Sequence, residues 1–271
     1  MGGQGRYRAA AIQMISGPEV EPNLVAADRL IGEAARGGAQ LIALPEYFCI
    51  LGRHETDKVK VRERDGQGPI QAFLAGVALR HRVWIVGGTL PLECADPLRV
   101  RSACMVFDSA GRRVARYDKI HLFGFRRGAE NYDESRTIEP GSEPIAFDSP
   151  FGRLGLSICY DVRFPELYRA AGEIDVWFVP SAFTATTGRA HWEPLLRSRA
   201  IENLAFLIAP AQGGLHPNGR ETHGHSMIVD PWGSVIAERA QGEAVVAAEI
   251  DLDRIAEARR ELPALEHRKL G

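Results

Sequence analysis

The sequence predicts an α/β fold, a mixed sheet with helices on its outer faces. Three observations carry this. Short apolar or β-branched runs alternate with amphipathic helical stretches along the whole chain. Two pairs of runs are joined by hairpin-turn residues, which a purely parallel sheet would lack. No Pro/Gly/Ser-rich linker, composition shift or repeat of about 20–50 residues interrupts the series. The 271 residues therefore read as a flexible tail over 1–6 and one domain over 7–271.

Residues 7–14 (YRAAAIQM) form the first predicted strand. From 23 to 36, Leu24, Ala27, Leu30, Ile31, Ala34 and Ala35 recur at helical spacing, and Gly37-Gly38 supplies the stop. Residues 41–44 (LIAL) are wholly apolar and closed by Pro45, the pattern of a strand buried on both faces. A second helix spans 69–82, followed by a strand over 83–88. Strands 101–107 and 114–117 flank the turn sequence that begins at Asp108. Further strands are expected at 154–158 and 176–179, with a helix opened by Pro165 over 165–171 between them. A helix over 191–203 precedes strands at 204–209, 226–229, 235–238 and 244–250, with Pro231-Trp232-Gly233 turning the last hairpin. Residues 251–260 read as a closing helix capped by Asp251. Only 122–149, rich in Gly, Pro and charge, resists assignment; a loop of that length inside a compact domain is usually functional.

Composition narrows the function. Lys+Arg number 33 against 35 Asp+Glu, a net charge of −2, which lacks the basic footprint of a nucleic-acid binder. No apolar run approaches the roughly 20 residues of a membrane span, and MGGQGRYR lacks the apolar core of a signal peptide. Cys49, Cys94, Cys104 and Cys159 are too scattered for a disulfide framework, so a reducing, cytoplasmic setting is expected. His191, His216, His223 and His225 show no metal-ligand spacing, and neither a metal nor another cofactor is expected.

Cys159 lies in GRLGLSICYDVRFPE at the carboxyl end of a predicted buried strand, where open α/β sheets bind ligands. A thiol on such a turn can attack a carbonyl or nitrile carbon; the competing reading is a buried structural cysteine, which suits the other three. Glu46 follows LIAL-Pro at an equivalent strand end. Burial there would raise its pKa toward the range a general base needs, whereas a surface glutamate at a helix start is the plainer alternative. Lys119, in Y-D-K-I-H, follows a strand and could set an ammonium against a developing oxyanion, or simply be solvated.

The combination resolves what single residues leave open. Glu46 after a strand and proline, Lys119 in Y-x-K-x-H-L-F, and Cys159 in C-Y-D-x-R-F-P-E occur in that order, and together they resemble the nitrilase (carbon–nitrogen hydrolase) superfamily. The resemblance runs from Ala10-Ala11-Ile12-Gln13 to His267-Arg268. It implies a four-layer α-β-β-α sandwich and a Glu46–Lys119–Cys159 triad. Glu134, in E-S-x-x-x-x-P-G, matches a second glutamate of the family that positions Lys119 and the substrate. The implied oxyanion donors are Lys119 and the backbone N–H of Tyr160.

Thr187-Gly188-Arg189-Ala190-His191-Trp192-Glu193, Gly224-His225-Ser226-Met227, Val229-Asp230-Pro231-Trp232-Gly233 and the terminal P-x-x-x-x-H-R are similar to the Nit branch. That branch contains deaminated glutathione amidases and ω-amidases of 2-oxoglutaramate, and the HWE, GHSM and terminal patterns are nearer the former. The implied substrate is a small α-keto-acid amide. Arg163, four residues after the cysteine, is the natural fork for its carboxylate, or else pairs with Glu166 or Asp161. Where many relatives have Asp after His-Leu-Phe, this chain has Gly124-Phe125-Arg126-Arg127, adding positive charge to a loop expected to border the pocket. The resemblance also implies a homodimer or higher homo-oligomer, with the Trp192-bearing helix at the interface. Rival readings are a nitrilase or N-carbamoyl amidohydrolase of the same fold, a silent scaffold, and a metal-dependent hydrolase.

Overall fold

The computed structural model describes residues 5–128 and 130–269. Of the expected tail over 1–6, residues 1–4 lie outside the described residues, and Arg6 already belongs to the first strand, Arg6–Gln13. Two sheets pack face to face. The first runs Ala244–Asp251, Arg6–Gln13, Leu41–Ala43, Trp84–Val86, Val100–Phe107, Leu90–Glu93, with Arg113–Asp118 also paired to Val100–Phe107. The second runs Val235–Arg239, Ser226–Val229, Phe206–Ala209, Val176–Phe178, Gly152–Leu156, Ile145–Ser149. Each centre is parallel and each margin antiparallel, the mixed pattern expected of strand–helix alternation flanked by hairpins.

Alternation explains the layers. Ala9, Ala11, Leu41 and Ala43 turn one way into a core shared with Leu154, Leu156, Val176 and Phe178. Ala10, Ile12 and Ile42 turn the other way, against Leu24, Leu30 and Ile31 of helix Val20–Arg36 and Leu74 and Val77 of helix Pro69–His81. Tyr168 of helix Pro165–Ala170 and Trp192 and Leu196 of helix Ala185–Asn203 cover the second sheet. The result is the expected four-layer α-β-β-α sandwich.

Several boundaries differ from the sequence reading, each for a local reason. The first helix starts at Val20, because Pro22 fits a first turn that needs no donor there. The long helix starts at Ala185, where the Thr184 side chain accepts a hydrogen bond from Thr187 N; Gly188 masks its first turn in the sequence. Leu204 is a left-handed helix end with φ 46°, so the next strand begins only at Phe206. Asp251 ends a strand and accepts from Asp253 N at 3.1 Å, while the closing helix runs Asp253–Glu261. Within 122–149 lie a hairpin, Gly124–Arg127 with Glu130–Asp133, a 3-10 turn at Glu134–Arg136 and the edge strand Ile145–Ser149. A second small hairpin, Gly213–Leu215 with Glu221–His223, has no counterpart in the sequence reading.

Trp192 is completely buried, and its Nε1 donates to His225 O at 2.8 Å, so its side chain belongs to the core and not to an outer surface. Among the described residues, no helix is long and apolar enough to cross a membrane.

Candidate active site

Glu46 and Lys119 come from the first sheet and Cys159 from the second, each just past a strand end. Leu44 N donates to Val86 O at 2.9 Å, which carries the chain out of the sheet into Pro45 and Glu46. Gly88, with φ 56°, lets its backbone lie against Pro45 O where a Cβ would overlap it. Gln212 Nε2 donates to Glu46 O at 3.0 Å, and Tyr47, with φ 58°, donates its N–H to Thr89 Oγ1 at 2.8 Å. Lys119 is fixed between Ser102 O, which accepts its N–H, and Gly141 N, which donates to its carbonyl at 2.8 Å. A Cβ on Gly141 would collide with Asp118 O, a physical reason for the P-G pair at this point. Cys159 N donates to Pro180 O at 2.9 Å, and the residue opens the 3-10 turn Cys159–Arg163 with a left-handed φ of 49°. Such backbone strain clusters at functional sites.

Asp161 locks that turn. Its carboxylate accepts from Ile158 N at 2.9 Å, from His121 N at 2.9 Å and from Tyr117 Oη at 2.7 Å. The segment carrying Lys119 is thereby tied to the turn carrying Cys159.

Lys119 is fully buried. Its Nζ donates to Glu46 Oε1 at 2.7 Å and to Glu134 Oε2 at 2.7 Å. Glu134 is held by Phe123 N at 2.7 Å and by Tyr47 Oη, which donates to Oε1 at 2.8 Å. Burial works against the Lys119 ammonium, but the carboxylates of Glu134 and Glu46 outweigh it and hold the amine well above its usual value. Burial also pushes at Glu134, where Lys119 and then the Phe123 N–H prevail and lower it. Glu46 ends above the ordinary carboxylate value, because its burial and the nearby Glu134 outweigh Lys119. Burial and then the charge of Glu46 push the Cys159 thiol well up, with Lys119 opposing. The resting arrangement is thus a neutral thiol beside an elevated carboxylate, an ammonium and a second, lowered carboxylate. A thiol so placed can pass its proton to Glu46 as it attacks, and the ammonium can face the negative charge that results.

Glu46, Glu134, Cys159 and Tyr160 line one narrow pocket. Tyr47, Phe123, Thr184, Thr187 and Arg220 line it too, and the sequence reading assigns none of them. Tyr47 is the residue next to Glu46, and Arg220 lies just ahead of the GHSM motif; only those adjacencies could have flagged them. Arg163 pairs with neither Glu166 nor Asp161. Its guanidinium stands over the Tyr160 and Phe183 rings, 5.5 and 5.4 Å from their centroids, and Nη1 is 3.3 Å from His191 Nδ1. Arg126 and Arg127 are exposed on their hairpin and do not line the pocket. His223 and His225 stack 4.4 Å apart away from it; among the described residues no group of three or more His, Cys, Asp or Glu side chains is placed to hold a metal ion.

A family model described as carbon-nitrogen hydrolase matches residues 8–260. The chain is 44% identical over 268 residues to the deaminated glutathione amidase of Synechocystis sp. (strain PCC 6803 / GT-S), covering 97% of this chain and 98% of that one. It is 35% identical over 268 residues to the omega-amidase NIT2 of Xenopus tropicalis, covering 97% and 95%. Among solved structures, Nit3 of Saccharomyces cerevisiae, a member of branch 10 of the nitrilase superfamily, superposes with a TM-score of 0.88 at 28% identity, covering 98% and 97% of the two chains. With its two-sheet sandwich, its buried Glu–Lys–Cys cluster and a full-length match of this kind, the chain belongs to the carbon–nitrogen hydrolase family.

Proposed function

We propose that the protein is a thiol-dependent amidase of α-keto-acid amides, deaminated glutathione first, with Glu46, Lys119 and Cys159 as its triad. The observation that carries this is the meeting of Glu46, Lys119 and Glu134 in one buried hydrogen-bonded cluster beside Cys159. Cys159 Sγ attacks the amide carbon while its proton passes to Glu46. The tetrahedral oxyanion is held by Lys119 Nζ and the Tyr160 N–H. Glu46 returns the proton to the leaving amine as the C–N bond breaks, leaving a thioester on Cys159. Glu46 then takes a proton from water, the hydroxide attacks the thioester, and the acid departs as the thiol is restored. Glu134 keeps Lys119 charged and aimed and transfers no proton first.

Arg163 does not itself line the pocket, but it would receive the keto-acid carboxylate from beside it; its position over the lining residues Tyr160 and Phe183, with no carboxylate partner among the described residues, supports this role. The similarity to an omega-amidase favours 2-oxoglutaramate as the second substrate. The same resemblance underlies a proposed homodimer in the cytoplasm, in which the outer face of Ala185–Asn203, with exposed Ile201, meets its copy.

A release assay with deaminated glutathione, 2-oxoglutaramate, a simple nitrile and an N-carbamoyl amino acid tests the reading. The two keto-acid amides should give the highest kcat/KM. Faster turnover of the nitrile or the carbamoyl compound would replace the substrate class.

A further inference from the structure

Arg220 is a second cation in the pocket wall, and unlike Lys119 it has no ion-pair partner among the described residues. Its guanidinium lies 5.0 Å from the Tyr132 ring centroid. Its Nε is buried and, among the described residues, finds no hydrogen-bond acceptor. The charge of Glu55 acts on Arg220 from outside the cluster, but that carboxylate is engaged by Lys58 Nζ at 2.6 Å. Stacking on Tyr132 satisfies the face of the guanidinium and leaves its edge donors open. A buried donor without an acceptor costs stability, and such a group calls for an explanation.

The loop presents this side chain with little freedom. Arg220 closes the turn of the hairpin Gly213–Leu215/Glu221–His223, where Arg220 O accepts from His216 N and Arg220 N donates to Asn218 Oδ1, both at 2.9 Å. Asn218 Nδ2 in turn donates to Gly52 O at 2.7 Å, and buried His216 bonds to Ser16 O at 2.9 Å and Thr222 Oγ1 at 2.7 Å. An anchored loop that delivers an unpaired guanidinium edge is costly to build unless something binds there.

Charge makes the same point. With Glu46 and Glu134 ionised against one ammonium, the cluster carries one excess negative charge, which would repel an anionic substrate. Arg220 offsets that charge at the pocket wall. The Phe123 ring joins the two arginine platforms, 5.7 Å from Tyr132 and 5.3 Å from Tyr160.

We propose that Arg220 receives a carboxylate of the substrate through the open edge of its guanidinium, as a site separate from Arg163. The inference deepens the α-keto-acid amide reading and rests on it. 2-Oxoglutaramate carries one carboxylate, on the acyl side, and deaminated glutathione adds a second on the amine side, so the pair identifies which end Arg220 reads.

The test measures kcat and KM of wild type, Arg220→Gln and Arg220→Lys on both compounds and on pentanamide, which has no carboxylate. Arg220→Gln should raise KM for a carboxylated amide on the order of tenfold more than for pentanamide, the scale of a lost charge-assisted hydrogen bond. A rise for both keto-acid amides assigns the acyl-side carboxylate, and a rise for deaminated glutathione alone assigns the amine side. Arg220→Lys should recover only part, lacking the fork. An equal loss on pentanamide, or no rise on either acid, overturns the proposal.

A readout without turnover separates this from the substrate reading. Millimolar 2-oxoglutarate and the thiol-free dipeptide Ser-Gly, offered separately, should slow iodoacetamide labelling of Cys159 in wild type, one of them several-fold less in Arg220→Lys. Absence of protection by both, or equal protection in both proteins, sinks Arg220 even if keto-acid amides are turned over. Wild-type preference for pentanamide sinks the substrate reading alone.

Discussion

Tyr117 Oη donates a 2.7 Å hydrogen bond to Asp161 Oδ2, joining a residue two before Lys119 to a residue two after Cys159. Both are completely buried. The bond runs from a strand of the first sheet to the turn that follows a strand of the second, so it fixes the separation of groups that neither sheet could align alone. Tyr117→Phe should leave a buried carboxylate oxygen short of a donor and cost about 1–3 kcal/mol. A thermal midpoint lowered by several degrees, with kcat reduced more than KM is raised, is the expected outcome. An unchanged midpoint and kcat would show that the bond aligns nothing.

Alkylation should separate the cysteines by consequence. Cys49 and Cys104 are buried with their thiols pushed up, Cys104 to about 12, and should stay unlabelled in the native protein. Cys94 is half-exposed and should label without loss of activity. Labelling of Cys159 should track inactivation, because the alkylated sulfur is the one that must attack the substrate. Mass spectrometry against residual activity checks each point; full activity with Cys159 labelled would remove it as nucleophile.

Glu46→Gln and Lys119→Met should each lower kcat on the order of 100-fold or more. The wild-type pH profile carries a further mark. Burial lifts Glu46 above its ordinary 4.5, and the reaction needs its carboxylate. The rate should therefore be full above that raised pKa and fall as pH drops through it, with the half-point of kcat/KM on the acid side above 4.5. A half-point at or below 4.5 would show that another group limits the acid side.

His216 gives a pH dependence of stability. Burial pushes it from 6.5 down to about 4, the carbonyl of Ser16 opposing and the charge of Arg220 reinforcing. Above pH 6.5 the imidazole is neutral in both folded and unfolded chains, so nothing is lost. Between 6.5 and about 4 only the unfolded chain takes the proton, and stability should fall by about 3 kcal/mol across that window. Urea unfolding at steps through this range should show the slope in wild type and a shallower one in His216→Gln. Equal slopes would assign it to other groups.

Strand ends closed by proline or a sharp turn made the catalytic candidates readable: the apolar run before Pro45 and the run before Cys159 both end where a parallel strand leaves the sheet. Lys119 and Glu134 were readable through motif order, although the reason they meet lies in contacts far apart in sequence. Tyr47 and Arg220 escaped because nothing in their local pattern distinguishes them from solvated residues; convergence of separate loops puts them at the pocket. The hairpins at 124–133 and 213–223 escaped because four- and three-residue strands rich in Gly and charge show no usable alternation. The start of the long helix was hidden by Gly188, a residue that local propensity assigns to a break and that tertiary packing tolerates.

The pairing of Arg6–Gln13 with Ala244–Asp251 has a consequence for biosynthesis. On a ribosome the first strand emerges early, yet its antiparallel neighbour is made only after more than two hundred further residues, on the order of tens of seconds later. Through that interval Arg6–Gln13 has one open edge, lined by backbone donors and acceptors that any other nascent strand can take up. Release of a chain that stops short of Ala244 would make the open edge permanent, so premature termination late in translation should yield insoluble protein even though every residue of the pocket has been made.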